Sequence, residues 1–348
     1  AALAEIGEER AFLAWEIARL PDGLGSDERR GLVLLVLATM VNLVEGSTRM
    51  PLAETYLRER LVRLGASARD LEVIRGLVAE SFRAGAGRLA PIVGVGGDYR
   101  PLILDDGHLV HQRMRNLEER MVAVLAARLG RPPFALPDER AAAAVEVVSR
   151  FGSVVLSERQ RQAVWTALHA PLTVISGGPG TGKTSIIVAI LRALARLGVA
   201  AVEIALAAPT GKAADRMRQA ITRGLAADEV RDESDADLAK SIPEPRTLHR
   251  LLGYSPATNR FLTHENNRLS ARVVVVDECS MIDLALMDRL FRATRDDARL
   301  VLLGDADQLP SVDAGAVFRD VLALGVTGWG VVLNENFRSG GESGGRRV

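Results

Sequence analysis

The chain has 348 residues, 48% hydrophobic and 25% charged, with a formal net charge of zero. That composition excludes a disordered tail and leaves room for two domains, and the neutral balance excludes a broadly basic nucleic-acid-binding face, so any such contact has to be local. A single cysteine, Cys279, excludes an intrachain disulfide framework and fits a reducing, cytoplasmic setting.

From residue 1 to about 130 the pattern predicts helices. AFLAWEIARL, AETYLRERLVRLG, LEVIRGLVAESFRAG and NLEERMVAVLAARLG repeat their apolar positions at helical spacing. GLVLLVLATMVNLV, 31–44, is apolar on every side and falls short of the about 20 residues a bilayer needs, so it is expected as a buried core helix without any membrane role. PLILDDGHLVHQR predicts a hairpin turning at Asp106 and Gly107. The Pro-rich RPPFALPDER then marks a boundary, and 131–153 is expected as a linker. The text begins with Ala1 rather than Met, which suggests that a natural N-terminus is missing.

From about 154 to 339 strand-like and helical runs alternate. LTVIS, AVEIALAAP, ARVVVVD, ARLVLLGD and GVVLN predict a parallel sheet covered on both faces, so the fold class is α/β behind a mostly helical first domain. Between them, 227–246 is acidic and ends in prolines, and is expected as a solvated surface loop. The last residues, 340–348, form a Gly-rich tail.

Three strings carry chemistry. SGGPGTGKT, 176–184, fits G-x-x-x-x-G-K-[ST] between a strand pattern and a helix pattern. Gly178, Pro179, Gly180, Thr181 and Gly182 would turn backbone N–H groups toward phosphate, Lys183 would reach the β and γ phosphates, and the Thr184 hydroxyl would hold Mg²⁺. In VVVVDE, Asp277 at a strand tip is the second Mg²⁺ candidate, and Glu278 is placed to orient and deprotonate attacking water. In LGDADQLPSV, Asp305, Asp307 and Gln308 leave another strand tip, where Gln308 can sense the γ phosphate. Of 44 basic residues only three are Lys, at 183, 212 and 240; two of these lie inside motifs, which marks Lys212 as constrained alongside Lys183.

In order, LSERQRQAV, SGGPGTGKT, AAPTGKAA, TLHRLLG, VVDECSMIDL, LGDADQLPSVDAGAVFRDV and LNENFRS resemble the superfamily 1 DNA helicases of the RecD type, over about 154–339. The helical first part more loosely resembles the N-terminal domain of the RecD subunit of the exonuclease V complex. The resemblance implies a RecA-like first motor lobe and an ATP-dependent, 5′ to 3′ translocating DNA helicase subunit that serves double-strand-break repair and recombination. It further implies ATP and Mg²⁺ as cofactors, and single-stranded DNA and RecB- and RecC-like subunits as partners.

By the same resemblance Gln160 would read the adenine edge. Asp305 and Gln308 would couple phosphate to DNA, and Arg338 would approach the γ phosphate. Pro209, Thr210, Gly211 and Lys212, with Thr247 and His249, would meet the DNA strand. Cys279 stands where the family usually has Ala, and is expected as a packed thiol of raised pKa rather than a redox switch. The family uses two motor lobes, and nothing here matches the second, so the text reads as a fragment. The alternatives are a nucleotide-binding docking subunit without turnover, and an unrelated P-loop ATPase.

Overall fold

The computed structural model describes residues 7–84, 87–226, 233–308, 317–325 and 328–334. The chain divides into two compact units at about Arg120. The first holds helices α1 (Glu8–Arg19), α2 (Ser26–Val44), α3 (Glu54–Arg63) and α4 (Ala68–Ala84), strands β1 (Arg49–Pro51), β2 (Val93–Gly94), β3 (Leu102–Asp105) and β4 (His108–His111), and the start of α5 (Gln112–Leu129). Helix α2 is the expected core helix: Leu32, Leu35, Val36 and Ala38 are all buried in one cluster with residues of α1, α3 and α4.

β3 and β4 form the expected antiparallel hairpin. Asp106 at φ 43° and Gly107 at φ 71° both sit left-handed, the two positive angles a tight two-residue hairpin turn requires. The hairpin is the centre of a four-stranded sheet, β1-β4-β3-β2, whose outer strands are too short to leave a pattern in the sequence. Within this unit His111 bonds Thr39 Oγ1 at 2.9 Å, and burial pulls its pKa down to about 4.

The second unit carries α6 (Asp138–Val148), α7 (Glu158–His169), β5 (Leu172–Gly177), α8 (Lys183–Arg196), β6 (Ile204–Ala208), α9 (Gly211–Ala226), α10 (Glu233–Ser241), β7 (Arg246–Thr247), α11 (Leu248–Leu251), β8 (Val273–Val276), α12 (Leu284–Ala293), β9 (Arg299–Gly304), α13 (Val317–Gly325) and β10 (Gly330–Leu333). The strand order is β10-β5-β9-β8-β6-β7, every pairing parallel. β5, β8 and β9 are buried along their whole length, as expected of strands covered on both faces.

Two sequence expectations need correction. The stretch 131–153 is not a free linker: α6 buries Ala141, Ala144, Val145 and Val148 in the core of the second unit, and Phe134 N donates to His169 O at 2.7 Å. The prolines mark the approach to a helix, since Pro137 is its N-cap residue. The acidic stretch 227–246 is not all solvated loop either. α10 buries Leu238, and Asp235 is 2% exposed, taking bonds from Arg192 (2.8 Å) and Arg196 (2.7 Å) of α8. A count of acidic residues cannot show which one turns inward to two arginines on another helix. None of the described helices is long and apolar enough to cross a membrane.

Candidate active site

The site lies at the C-terminal tips of the parallel strands, where β5 stands between β10 and β9 and the strand order reverses. β5 ends at Gly177 and α8 starts at Lys183, so the loop must turn within five residues. Gly180 (φ 88°) and Gly182 (φ 82°) take the left-handed angles this needs. At Gly177 a Cβ would collide with Thr181 Oγ1 and come within 3.0 Å of Leu333, and at Gly182 it would collide with Gln160. The cradle therefore has room only for hydrogen at both positions.

The loop is braced from inside. Thr181 Oγ1 donates to Gly178 O at 2.8 Å, and Gln160 Nε2 donates to Thr181 O at 2.9 Å. The other end of the Gln160 amide accepts from Ser157 N at 2.9 Å in a capping box that starts α7. Gln160, 3% exposed, thus ties α7 to the P-loop through both ends of its amide, and an adenine edge would reach it only by displacing one of these bonds.

Lys183 Nζ donates to Gly177 O and, at 3.4 Å, to Gly178 O, so its charge sits against the loop it would share with phosphate. Thr184, in the first turn of α8, is half-buried beside it. The first N–H groups and the positive dipole end of a helix together favour an anion here.

From β8 comes Asp277. Burial raises its pKa to about 6; the Glu278 N–H bond to Oδ1 (2.8 Å) pulls it down, the Glu278 charge pushes it up and the Lys183 charge pulls it down. Glu278 adopts φ 55°, ψ 38°, a left-handed conformation that costs a non-glycine residue about 1 kcal/mol or more. Cys279 is fully buried, bonds Val276 O at 3.2 Å, and has its pKa raised first by burial and then by Asp277, in line with a packed thiol. From β9 come Asp305, 4% exposed, and the exposed Gln308; Asp305 Oδ1 accepts from Asp307 N at 3.1 Å. Arg338 lies outside the described residues.

The other residue set leaves the next two strands on the same edge. β6 and β7 pair Ala208 with Thr247, so Pro209–Lys212 and Thr247–His249 emerge side by side. Thr210 Oγ1 accepts from Ala213 N (3.2 Å) to cap α9, and Thr247 Oγ1 accepts from Arg250 N (3.2 Å) to cap α11, so both hydroxyls have helix-starting work. Lys212 stays exposed in the first turn of α9.

The aromatic neighbours of His249 escaped the sequence reading. His249 packs against Tyr254 and Phe261 with ring centroids 5.3 and 5.8 Å apart, and the Arg289 guanidinium lies 4.4 Å over Phe261. In a chain that is only 4% aromatic, two aromatic rings and a His within thirteen residues, 249–261, were the available signal.

Among the described residues no group of three or more His, Cys, Asp or Glu stands ready to hold a metal alone. Thr184 and Asp277 suit Mg²⁺, which keeps waters and takes phosphate oxygens in addition to one or two carboxylates.

Comparison with known proteins agrees with this geometry. Residues 160–314 match the AAA domain family. The RecBCD enzyme subunit RecD of Mycolicibacterium smegmatis is 43% identical over 232 residues, covering 64% of this chain and 39% of that protein. The chain is thus similar to RecD-type proteins over about two thirds of its own length.

RecD of Haemophilus influenzae is 42% identical over 163 residues (47% of this chain, 26% of that protein), and the ATP-dependent RecD2 DNA helicase of Deinococcus radiodurans 37% identical over 163 residues (46% and 19%). The chain therefore spans less than two-fifths of the length of these relatives. Its P-loop motif and the strand-tip carboxylates Asp277 and Asp305 lie within the segment that matches the AAA domain.

Proposed function

We propose that this chain supplies the N-terminal domain and first motor lobe of an ATP-dependent 5′ to 3′ DNA helicase subunit of the RecD type. The supporting observation is that one edge of one sheet carries two neighbouring sets of groups. Gly177–Thr184, Asp277, Glu278, Asp305 and Gln308 lie at the tips of β5, β8 and β9, while Pro209–Lys212 and Thr247–His249 lie at the tips of β6 and β7, which pair with each other.

In this reading the P-loop N–H groups and Lys183 bind and orient the triphosphate, and Thr184 with Asp277 hold Mg²⁺. When bound, the metal supplies charge stabilisation at the transferred phosphoryl group. Glu278 orients the attacking water and takes its proton. Gln308 reports on the terminal phosphate, and Arg338 belongs to the same role set on the resemblance alone.

Lys212, at the positive end of α9, meets the DNA backbone as a charge, and the His249–Tyr254–Phe261 cluster offers flat faces for bases, a contact worth about 1–3 kcal/mol per stacked base. The first unit, 1–120, is the docking part of a complex with RecB- and RecC-like subunits, in the cytoplasm.

ATP hydrolysis measured with and without single-stranded DNA tests the reading. Stimulation by DNA that Lys183→Gln abolishes supports it; equal rates with and without DNA, or an active Lys183→Gln variant, count against it.

A further inference from the structure

Immediately after Glu278 the chain makes a single tight turn, Cys279–Met281, whose middle residue is Ser280. The Ser280 hydroxyl donates to Gln308 Oε1 at 3.4 Å, joining the end of β8 to the end of β9. The turn is held from behind by the fully buried Cys279 and by the close approach of β9: a Cβ on Gly304 would lie 3.0 Å from Ser280 N and 2.9 Å from the Phe318 ring. Ser280 is thus on a fixed platform, while Gln308 is exposed.

A glutamine amide has an acceptor end and a donor end, and a phosphate oxygen accepts only, so one of its two orientations attracts the terminal phosphate and the other repels it. With the Ser280 hydroxyl donating to Oε1, the acceptor end is occupied and the NH₂ end is left free for the anion. We propose that Ser280 is a positioning residue that orients the Gln308 amide so that the site distinguishes a triphosphate from a diphosphate. The inference rests on the nucleotide reading above and adds to it the group that sets the sensor.

The test is binding of a fluorescent non-hydrolysable ATP analogue and of fluorescent ADP to the 348-residue chain with Mg²⁺ present, for wild type, Ser280→Ala, Ser280→Thr, Gln308→Ala and the double variant Ser280→Ala/Gln308→Ala. The expected result is a wild-type preference for the analogue that Ser280→Ala and Gln308→Ala each reduce by about tenfold, the size of one hydrogen bond to a charged group. The double variant should lose no more than either alone, Ser280→Thr should keep the preference, and ADP affinity should be unchanged throughout, which shows that the fold and the cradle are intact. A Ser280→Ala variant with the full preference, a double variant whose losses add, or a wild type that does not prefer the analogue overturns the inference. Failure of the wild type to bind either nucleotide overturns the nucleotide reading, and this inference with it.

Discussion

The two ends of the parallel sheet use their cations in opposite ways. At the N-terminal ends of β5 and β9, Arg128, 2% exposed, donates to the carbonyls of Pro171 (3.2 Å), Thr294 (3.3 Å), Arg295 (3.0 Å) and Ala298 (2.9 Å), and Arg299 donates to Leu168 O (2.9 Å) while stacking 3.8 Å over Phe134. Arg131 and Arg268 share Asp296, at 2.6 and 2.7 Å, and hold its pKa down at about 2. At the C-terminal ends stand two of the chain's three lysines, Lys183 resting on loop carbonyls and Lys212 exposed at a helix start. Arginine forks satisfy several fixed acceptors at once and serve the frame, whereas a slim, mobile ammonium can let go of a carbonyl and take a phosphate. Burial lowers Arg128 and Arg299 to about 10, which still leaves both charged at neutral pH.

If this division holds, damage to one end should leave the other's property untouched. The largest effect is expected from Asp235→Ala, which takes a carboxylate away from the buried Arg192 and the half-buried Arg196 of α8. It should cost about 4 kcal/mol in urea unfolding. Arg128→Met, which removes the donor to four carbonyls, should cost about 3 kcal/mol. In both variants the molecules that remain folded should bind nucleotide with wild-type affinity; a proportionate loss of affinity would show that the two ends are not separable.

The converse variant, Lys183→Ala, should lower triphosphate affinity by about 100-fold, roughly 3 kcal/mol, with the unfolding midpoint within about 0.5 kcal/mol of wild type. A loss of stability as large as the loss of binding would break the contrast from the other side.

A pH series sharpens it further. Asp277 has a folded pKa of about 6 against an ordinary 3.8, so between those values the unfolded chain gives up its proton first and stability falls as pH rises. Asp277→Asn should therefore be more stable than wild type by about 3 kcal/mol at pH 7, with the difference vanishing below about pH 4. His111, in the first unit, has the opposite slope. Its pKa drops from 6.5 to about 4, so its contribution is complete above pH 6.5 and is lost as pH falls toward 4. Parallel rather than opposite pH trends for Asp277→Asn and His111→Gln would contradict both assignments.

The end that carries the candidate site was the legible one. Gly177–Thr184, Asp277 and Asp305 announce themselves because phosphate chemistry restricts residue type and spacing at a strand tip, and apolar runs such as VVVV and LVLL locate the strands. The structural end was not legible. Arg128 is one of 41 arginines, and its partners are backbone carbonyls on segments that become neighbours only when β5 and β9 pair. Asp235 hid in the same way inside an acidic run, and Gln160, expected at an adenine edge, gave no sign in the sequence that its amide joins Ser157 to Thr181. Short strands such as β2 and β7, two residues each, lie below any periodicity a sequence can show.

Titration of a fluorescent ATP analogue into the 348-residue chain with Mg²⁺, wild type against Lys183→Ala, tests the central claim most directly. The account requires saturable binding by the wild type and its loss in the variant at unchanged thermal stability. Equal binding by the two, or none by the wild type, would contradict the assignment of Gly177–Thr184 as the nucleotide cradle.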